Sequence, residues 1–146
     1  MRRALSPWTW QEEFGFEQVC EMSGAHRTLW LTGQASTDAD GHPVHPGDMS
    51  AQLQQTFDNL EEVLRAADAK LSDVVRLVCY TTDVDELFTV WDELRTRLAA
   101  GGCRPALTLL GVTRLAYPEL LVELEATATV DEEPAPRVAD AAPTPL

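Results

Sequence analysis

The chain has 146 residues, 45% hydrophobic and 24% charged, and its 11 Lys and Arg against 24 Asp and Glu give a formal net charge of −13. That size and balance suit one globular domain with a real core, and no apolar run approaches the ~20 residues of a membrane helix. A surface so acidic repels phosphate backbones and argues against nucleic acid as the main partner.

The N-terminus reads MRRALSPWTWQEE, two arginines with no apolar stretch behind them. This is not a signal peptide, and a cytoplasmic protein is expected. Trp8 and Trp10 are read as packing in the core or at a subunit contact. Phe16–Met22 and Thr28–Gln34 flank Ser23-Gly24-Ala25-His26 and are expected to pair as a hairpin. The folded domain is expected over about residues 5–130. The polar loop Asp38–His45 carries His42 and His45. Pro43 between them breaks regular ligand geometry, and the loop reads as solvated, with no metal site.

The alternating spacing of Leu53, Phe57, Leu60, Leu64 and Ala67 predicts a helix over Met49–Ala67, with Asp48 as its N-cap. A strand follows over Val74–Thr81. A second helix is predicted over Val84–Ala99, striped by Leu87, Val90, Trp91, Leu94 and Leu98, opened by Asp83 and Glu86 and stopped by Gly101-Gly102. Ala106–Val112 and Leu120–Val130 are two more strands, apolar enough to be covered on both sides. In the last, Glu123 and Glu125 alternate with Val122 and Leu124, so the carboxylates face away from the apolar side. Periodicity alone leaves open whether that second face meets water or another subunit. The order β-β-α-β-α-β-β gives an α+β fold, two helices on one face of a mixed sheet. Two helices cover only one face, so a second chain is expected on the other. Residues 131–146, DEEPAPRVADAAPTPL, are expected to be a disordered tail. Cys20, Cys79 and Cys103 fit neither a disulfide framework nor a zinc site. The first two read as buried thiols and Cys103 as an exposed turn residue.

Several segments, in order, resemble the Rid (RidA/YjgF) family: Thr32-Gly33-Gln34, Gly47-Asp48-Met49, Gln52, Gln55, Asn59-Leu60, Asp73-Val74-Val75, Tyr80-Thr81-Thr82-Asp83 and Leu121-Val122-Glu123-Leu124-Glu125. The resemblance spans roughly Phe14–Val130. It implies a chorismate-mutase-like fold, a barrel-shaped homotrimer with small-molecule clefts between subunits, and cofactor-free, metal-free hydrolysis of reactive enamines and imines to keto acids and ammonia. The family glutamate on the last strand falls on Glu123, for acid-base work, and the backbone segment that holds substrate falls on Thr32 and Gly33. The family tyrosine near the N-terminus falls on Phe16, the asparagine of the second helix on Trp91, the carboxylate-clamping arginine on Leu107 and the cysteine two positions later on Leu109. Leucine cannot make the paired hydrogen bonds of a guanidinium. The resemblance therefore implies an apolar pocket rather than a carboxylate clamp, in a hydrolase, deaminase or tautomerase acting on a small imine or enamine; a non-catalytic binding trimer is the alternative. Arg104, three positions before Leu107, falls on the other strand face and reads as a turn arginine. Glu125 reads as structural, tied to Arg76 or Arg114.

Overall fold

The computed structural model describes residues 1–133. The expected tail lies, from residue 134 on, outside the described residues. Six strands run in chain order: β1 (Arg2–Leu5), β2 (Val19–Met22), β3 (His26–Ala35), β4 (Val74–Thr81), β5 (Ala106–Gly111) and β6 (Val122–Asp131). Three α-helices join them: α1 (Met49–Ala66), α2 (Val84–Thr89) and α3 (Trp91–Ala100). Strands β3-β6-β4-β5 form a mixed sheet in which only β4 and β5 are parallel, and β1 with β2 forms a separate antiparallel ribbon. This is the expected α+β architecture. Among the described residues no helix is long and apolar enough to cross a membrane.

Helix α1 starts where its cap predicts, with Asp48 Oδ1 accepting the Ala51 N–H at 2.9 Å. Its stripe of Leu53, Phe57, Leu60 and Leu64 is fully buried. Asp83 caps α2 in the same way, accepting from the Glu86 N–H at 2.9 Å. The single second helix expected from the sequence is two helices, interrupted at Val90 (φ −116°, ψ 13°). The β-branched pair Thr89-Val90 weakens the helix there. Trp91, at the start of α3, is buried against the core. Arg97 pins α3 to α1: its Nη2 lies 2.6 Å from Asp58 and 2.5 Å from Glu61, and its guanidinium sits 5.4 Å from the centre of the Phe57 ring.

The expected hairpin is corrected. β2 pairs with β1, and β3 pairs with β6. Leu29 and Leu31 of β3 stand beside Ala128 and Ala126 of β6, so both strands turn their apolar residues to the helices. The segment before β2 is instead tied to the start of β5, where the Glu17 N–H donates to the Pro105 carbonyl at 2.9 Å. Strand β1 carries no alternation of apolar residues and was invisible to a pattern search. Charge holds it: Arg3 pairs with Glu21, and the Arg2 guanidinium donates to the carbonyls of Ser72 (3.0 Å) and Arg104 (2.6 Å).

Sheet register decides which side each functional candidate faces. Leu109, Cys79 and Leu124 are neighbours across β5, β4 and β6, and all three pack toward the helices. One residue along, Leu110, Tyr80 and Glu123 are neighbours on the opposite face. Among the described residues no helix covers that face. Trp30 is 82% exposed and Leu110 47% exposed there.

Candidate functional site

Glu123 sits near the start of β6, held by a buried amide. Gln52, fully buried on α1, donates from Nε2 to the carbonyls of Glu119 (2.8 Å) and His45 (3.1 Å) and accepts the Leu121 N–H at 2.8 Å. One side chain thus fixes both the loop entering α1 and the loop entering β6. Asn59 does similar work for the chain leaving β3, donating to the carbonyls of Ala35 (2.8 Å) and Thr37 (2.9 Å). Of the motif residues, Gln52 and Asn59 are loop clamps, and Gln55 donates to the Asn59 side chain.

A cavity of about 350 Å³ opens on the uncovered face, lined by Gly33, Tyr80, Arg114, Glu123 and Glu125 among others. Gly33 belongs to a β-bulge between Leu31 and Gln34, and the bulge brings its backbone against Glu123. A β-carbon at residue 33 would stand 2.8 Å from the Glu123 carboxyl carbon, so any larger residue would displace the Glu123 carboxyl from its present position. Burial, and next the neighbouring Glu125 carboxylate, push the Glu123 carboxyl above its ordinary range. Tyr80 Oη donates to Glu125 Oε2 at 3.1 Å, and that bond holds the phenol proton more tightly than usual. A carboxyl that holds its proton more tightly than usual, in an open cavity, is suited to giving and taking protons. Glu125 is therefore tied to Tyr80, not to Arg76 or Arg114 as the sequence suggested. Thr32 is exposed at the bulge, beside Gly33 but outside the cavity lining.

The remaining candidates gather elsewhere. Phe16, Trp91, Leu107 and Leu109 line a second pocket of about 220 Å³ together with Trp10, Phe14 and Phe88. About 150 Å³ suffices for a benzene ring, so this pocket admits one aromatic ring. Edge-on contacts order its walls, with ring centres 5.8 Å apart for both Trp10–Phe16 and Phe88–Trp91. The Trp91 indole N–H is buried and has no acceptor among the described residues. Leu107 and Leu109 face the helices, so one chain does not bring this pocket together with Glu123. Each chain presents a polar cavity on one sheet face and an aromatic pocket on the other.

Arg104 is bound to Glu17 (Nε to Oε1, 2.7 Å). Burial opposes ionisation of Glu17, but hydrogen bonds from Ser6 and Arg104 outweigh it and hold the carboxyl below its usual range. Cys103 is buried rather than exposed, because the Gly101-Gly102 turn folds it under α3 against the Val74 carbonyl. Burial pushes the thiols of Cys79 and Cys103 up to about 12, so neither is a nucleophile near neutral pH. Cys20 is only half-buried, on β2. In the loop before α1, Asp38, Asp40 and His42 place ligand atoms within 4.8 Å of one another. All three are exposed, and Asp38 Oδ1 already accepts the N–H groups of Asp40 and His42 in a local turn. Tyr80 and Arg114 were not among the residues the sequence assigned to the site. The strand alternation through Val74–Thr81 could have placed Tyr80 beside Glu123; nothing in the pattern placed Arg114.

The family profile described as Endoribonuclease L-PSP matches residues 15–130. A RutC family protein of Pyrococcus horikoshii (PH0854) is 30% identical over 100 residues, 68% of this chain and 77% of that protein. The 2-iminobutanoate/2-iminopropanoate deaminase of Mus musculus is 29% identical over 102 residues, 70% of this chain and 73% of that protein. The crystal structure of YyfB from Yersinia pestis, described as a conserved Rid-family protein, superposes with a TM-score of 0.79 and 38% identity over 88% of this chain and 98% of that one.

Proposed function

The chain belongs to the Rid (RutC/YjgF) family, and from that premise we propose that it is a cofactor-free hydrolase of a small imine or enamine, working in the cytoplasm as a homotrimer. The observation that carries the reading is Glu123, a half-buried carboxyl biased toward its protonated form, seated against the backbone of Gly33 in an open cavity. Some distant relatives bear the name of imine deaminases. In the reaction, water adds to the C=N carbon, the nitrogen gains protons, and the C–N bond breaks to give a carbonyl compound and ammonia. Glu123 gives a proton to the departing nitrogen and takes one from the attacking water. The Thr32-Gly33 backbone holds the polar group of the substrate as charge develops.

The two half-sites on opposite faces support a cleft shared between chains. The polar half of one chain, with Glu123, meets the aromatic half of its neighbour, with Phe16, Trp91, Leu107 and Leu109. The exposed Trp30 and Leu110 on the uncovered face fit burial against a second copy. The aromatic wall favours an imine with an apolar or aryl substituent. The test compares turnover of a phenyl-bearing imine with that of 2-iminopropanoate, by loss of imine and release of ammonia. Faster hydrolysis of the phenyl compound supports the reading, and equal or better turnover of 2-iminopropanoate contradicts the apolar specificity.

Leu107 at the position of the clamping arginine favours one second reading, a trimer that binds a metabolite without converting it. Glu123→Gln separates the two: lost turnover marks the enzyme, and altered affinity with no reaction in either form marks the binder. The ribonuclease activity in the profile's description fits poorly with a formal charge of −13. Intact RNA after incubation with the purified protein is the expected outcome.

A further inference from the structure

The cavity around Glu123 contains one cationic side chain. Arg114, on the loop that follows β5, lines it together with Tyr80, Glu123, Glu125 and Gly33. Among the described residues Arg114 makes no ion pair, although two carboxylates line the same cavity. Glu125 is engaged instead by the phenol of Tyr80. We propose that Arg114 is the anion anchor of this cavity, taking the carboxylate of a 2-imino acid whose nitrogen is turned to Glu123. The substrate named here rests on the hydrolase reading; the anchoring of a carboxylate does not.

Three features carry the assignment. First, position 107 cannot supply a guanidinium to this wall, because it holds leucine and faces the helices, whereas Arg114 belongs to the same wall of the same chain as Glu123. Second, the charges match. A protonated imine with its own carboxylate is a zwitterion, and the cavity offers carboxylates for its cationic end and one guanidinium for its anionic end. A guanidinium holds a carboxylate through two parallel hydrogen bonds, which fixes orientation as well as affinity. Third, Arg114 is exposed and has no partner among the described residues, so meeting a ligand requires none of the described pairs to break. Of the charged groups on this face, Arg76 on β4 lies beside Thr127 and does not line the cavity, although its charge acts on Tyr80, which makes it a control for the loss of a nearby positive charge alone.

The experiment pairs two imines that differ only in the carboxylate. The imine of phenylpyruvate is generated from phenylalanine by an amino-acid oxidase, and the imine of phenylacetaldehyde from phenethylamine by an amine oxidase. Arg114→Ala should raise KM for the carboxylate-bearing imine about 10- to 100-fold and leave the carboxylate-free imine unchanged. Arg114→Lys should fall between, and Arg76→Ala should match the wild type. An Arg114→Ala variant that loses both substrates equally, or neither, overturns the anchor. So does one that only moves the pH profile, since that would mark Arg114 as a neutraliser of Glu125. Calorimetric binding of phenylpyruvate, the keto-acid product, is read in parallel. If the wild type hydrolyses neither imine, the hydrolase reading falls, and the anchor stands only if phenylpyruvate binds and Arg114→Ala weakens it. Absence of phenylpyruvate binding by the wild type overturns the anchor.

Discussion

Gln52→Ala should be among the most damaging single changes outside the apolar core. The amide is fully buried and serves three backbone groups: the carbonyls of His45 and Glu119 and the N–H of Leu121. Leaving a buried polar group unpaired costs ~1–3 kcal/mol. The loops here lie near the surface, and water can reach some of the freed groups, so the lower end applies to each. Three groups then give a loss of about 3 kcal/mol, a large share of a domain stability of ~5–15 kcal/mol. That corresponds to a fall in Tm of roughly 10 °C for a domain of this size. The assay is thermal and urea unfolding at one fixed protein concentration, because assembly couples stability to concentration. Gln55→Ala is the control, since its amide donates only to the half-exposed Asn59 side chain at 3.0 Å and should cost under about 1 kcal/mol. A Gln52→Ala variant as stable as Gln55→Ala would refute the clamp. The clamp also sets the entry of β6, so Gln52→Ala should lower turnover even where the protein remains folded.

Glu123→Gln should change stability in a pH-dependent way. The folded state holds the Glu123 proton more tightly than the unfolded chain, so its contribution is complete below the unfolded pKa and is lost as pH rises through the folded one. The variant cannot ionise, so as pH rises above about 4 its unfolding midpoint should gain on the wild type; parallel curves would show that the carboxyl is not perturbed. Light scattering should give a mass three times the 16.1 kDa of one chain, and Trp30→Glu on the uncovered face should reduce it, whereas a wild-type monomer would remove the shared site altogether. Phe16→Ala should lower kcat/KM for a phenyl-bearing imine about 10-fold more than for 2-iminopropanoate, and an equal loss on both would place Phe16 outside the substrate wall.

Elements that bury a regular stripe were legible in the sequence. Helix α1, its Asp48 cap and the alternation of β6 follow from spacing alone, because the core enforces that spacing on every turn and every second residue. What depended on partner choice was not. Strand β1 has no apolar face, and its place is set by Arg2, Arg3 and the backbone of β2. The pairing of β3 with β6 rather than β2 is a long-range choice that no local turn signal encodes. The site divided in the same way. Glu123 and Gly33 could be named from a motif, but the bulge that brings one against the other could not. Phe16, Trp91, Leu107 and Leu109 could be named too, but sheet parity puts Leu107 and Leu109, and the pocket they share with Phe16 and Trp91, on the far face from Glu123, which only the register of β4 with β5 and β6 reveals. Arg114 lies on a loop of irregular backbone, where no periodicity predicts direction.

The most direct test of a Glu123 site shared between chains is subunit complementation. Glu123→Gln keeps an intact aromatic half-site, and Phe16→Glu keeps an intact Glu123 half-site. Each variant alone should release no ammonia from the phenyl-bearing imine above background. Unfolded together in equal amounts and refolded, they should form trimers in which about a quarter of all clefts, or one in three within each mixed trimer, combine an intact Glu123 half with an intact aromatic half, with activity restored to that level. Mixed trimers, shown by mass, that remain as inactive as the separate variants would contradict a site built from two chains.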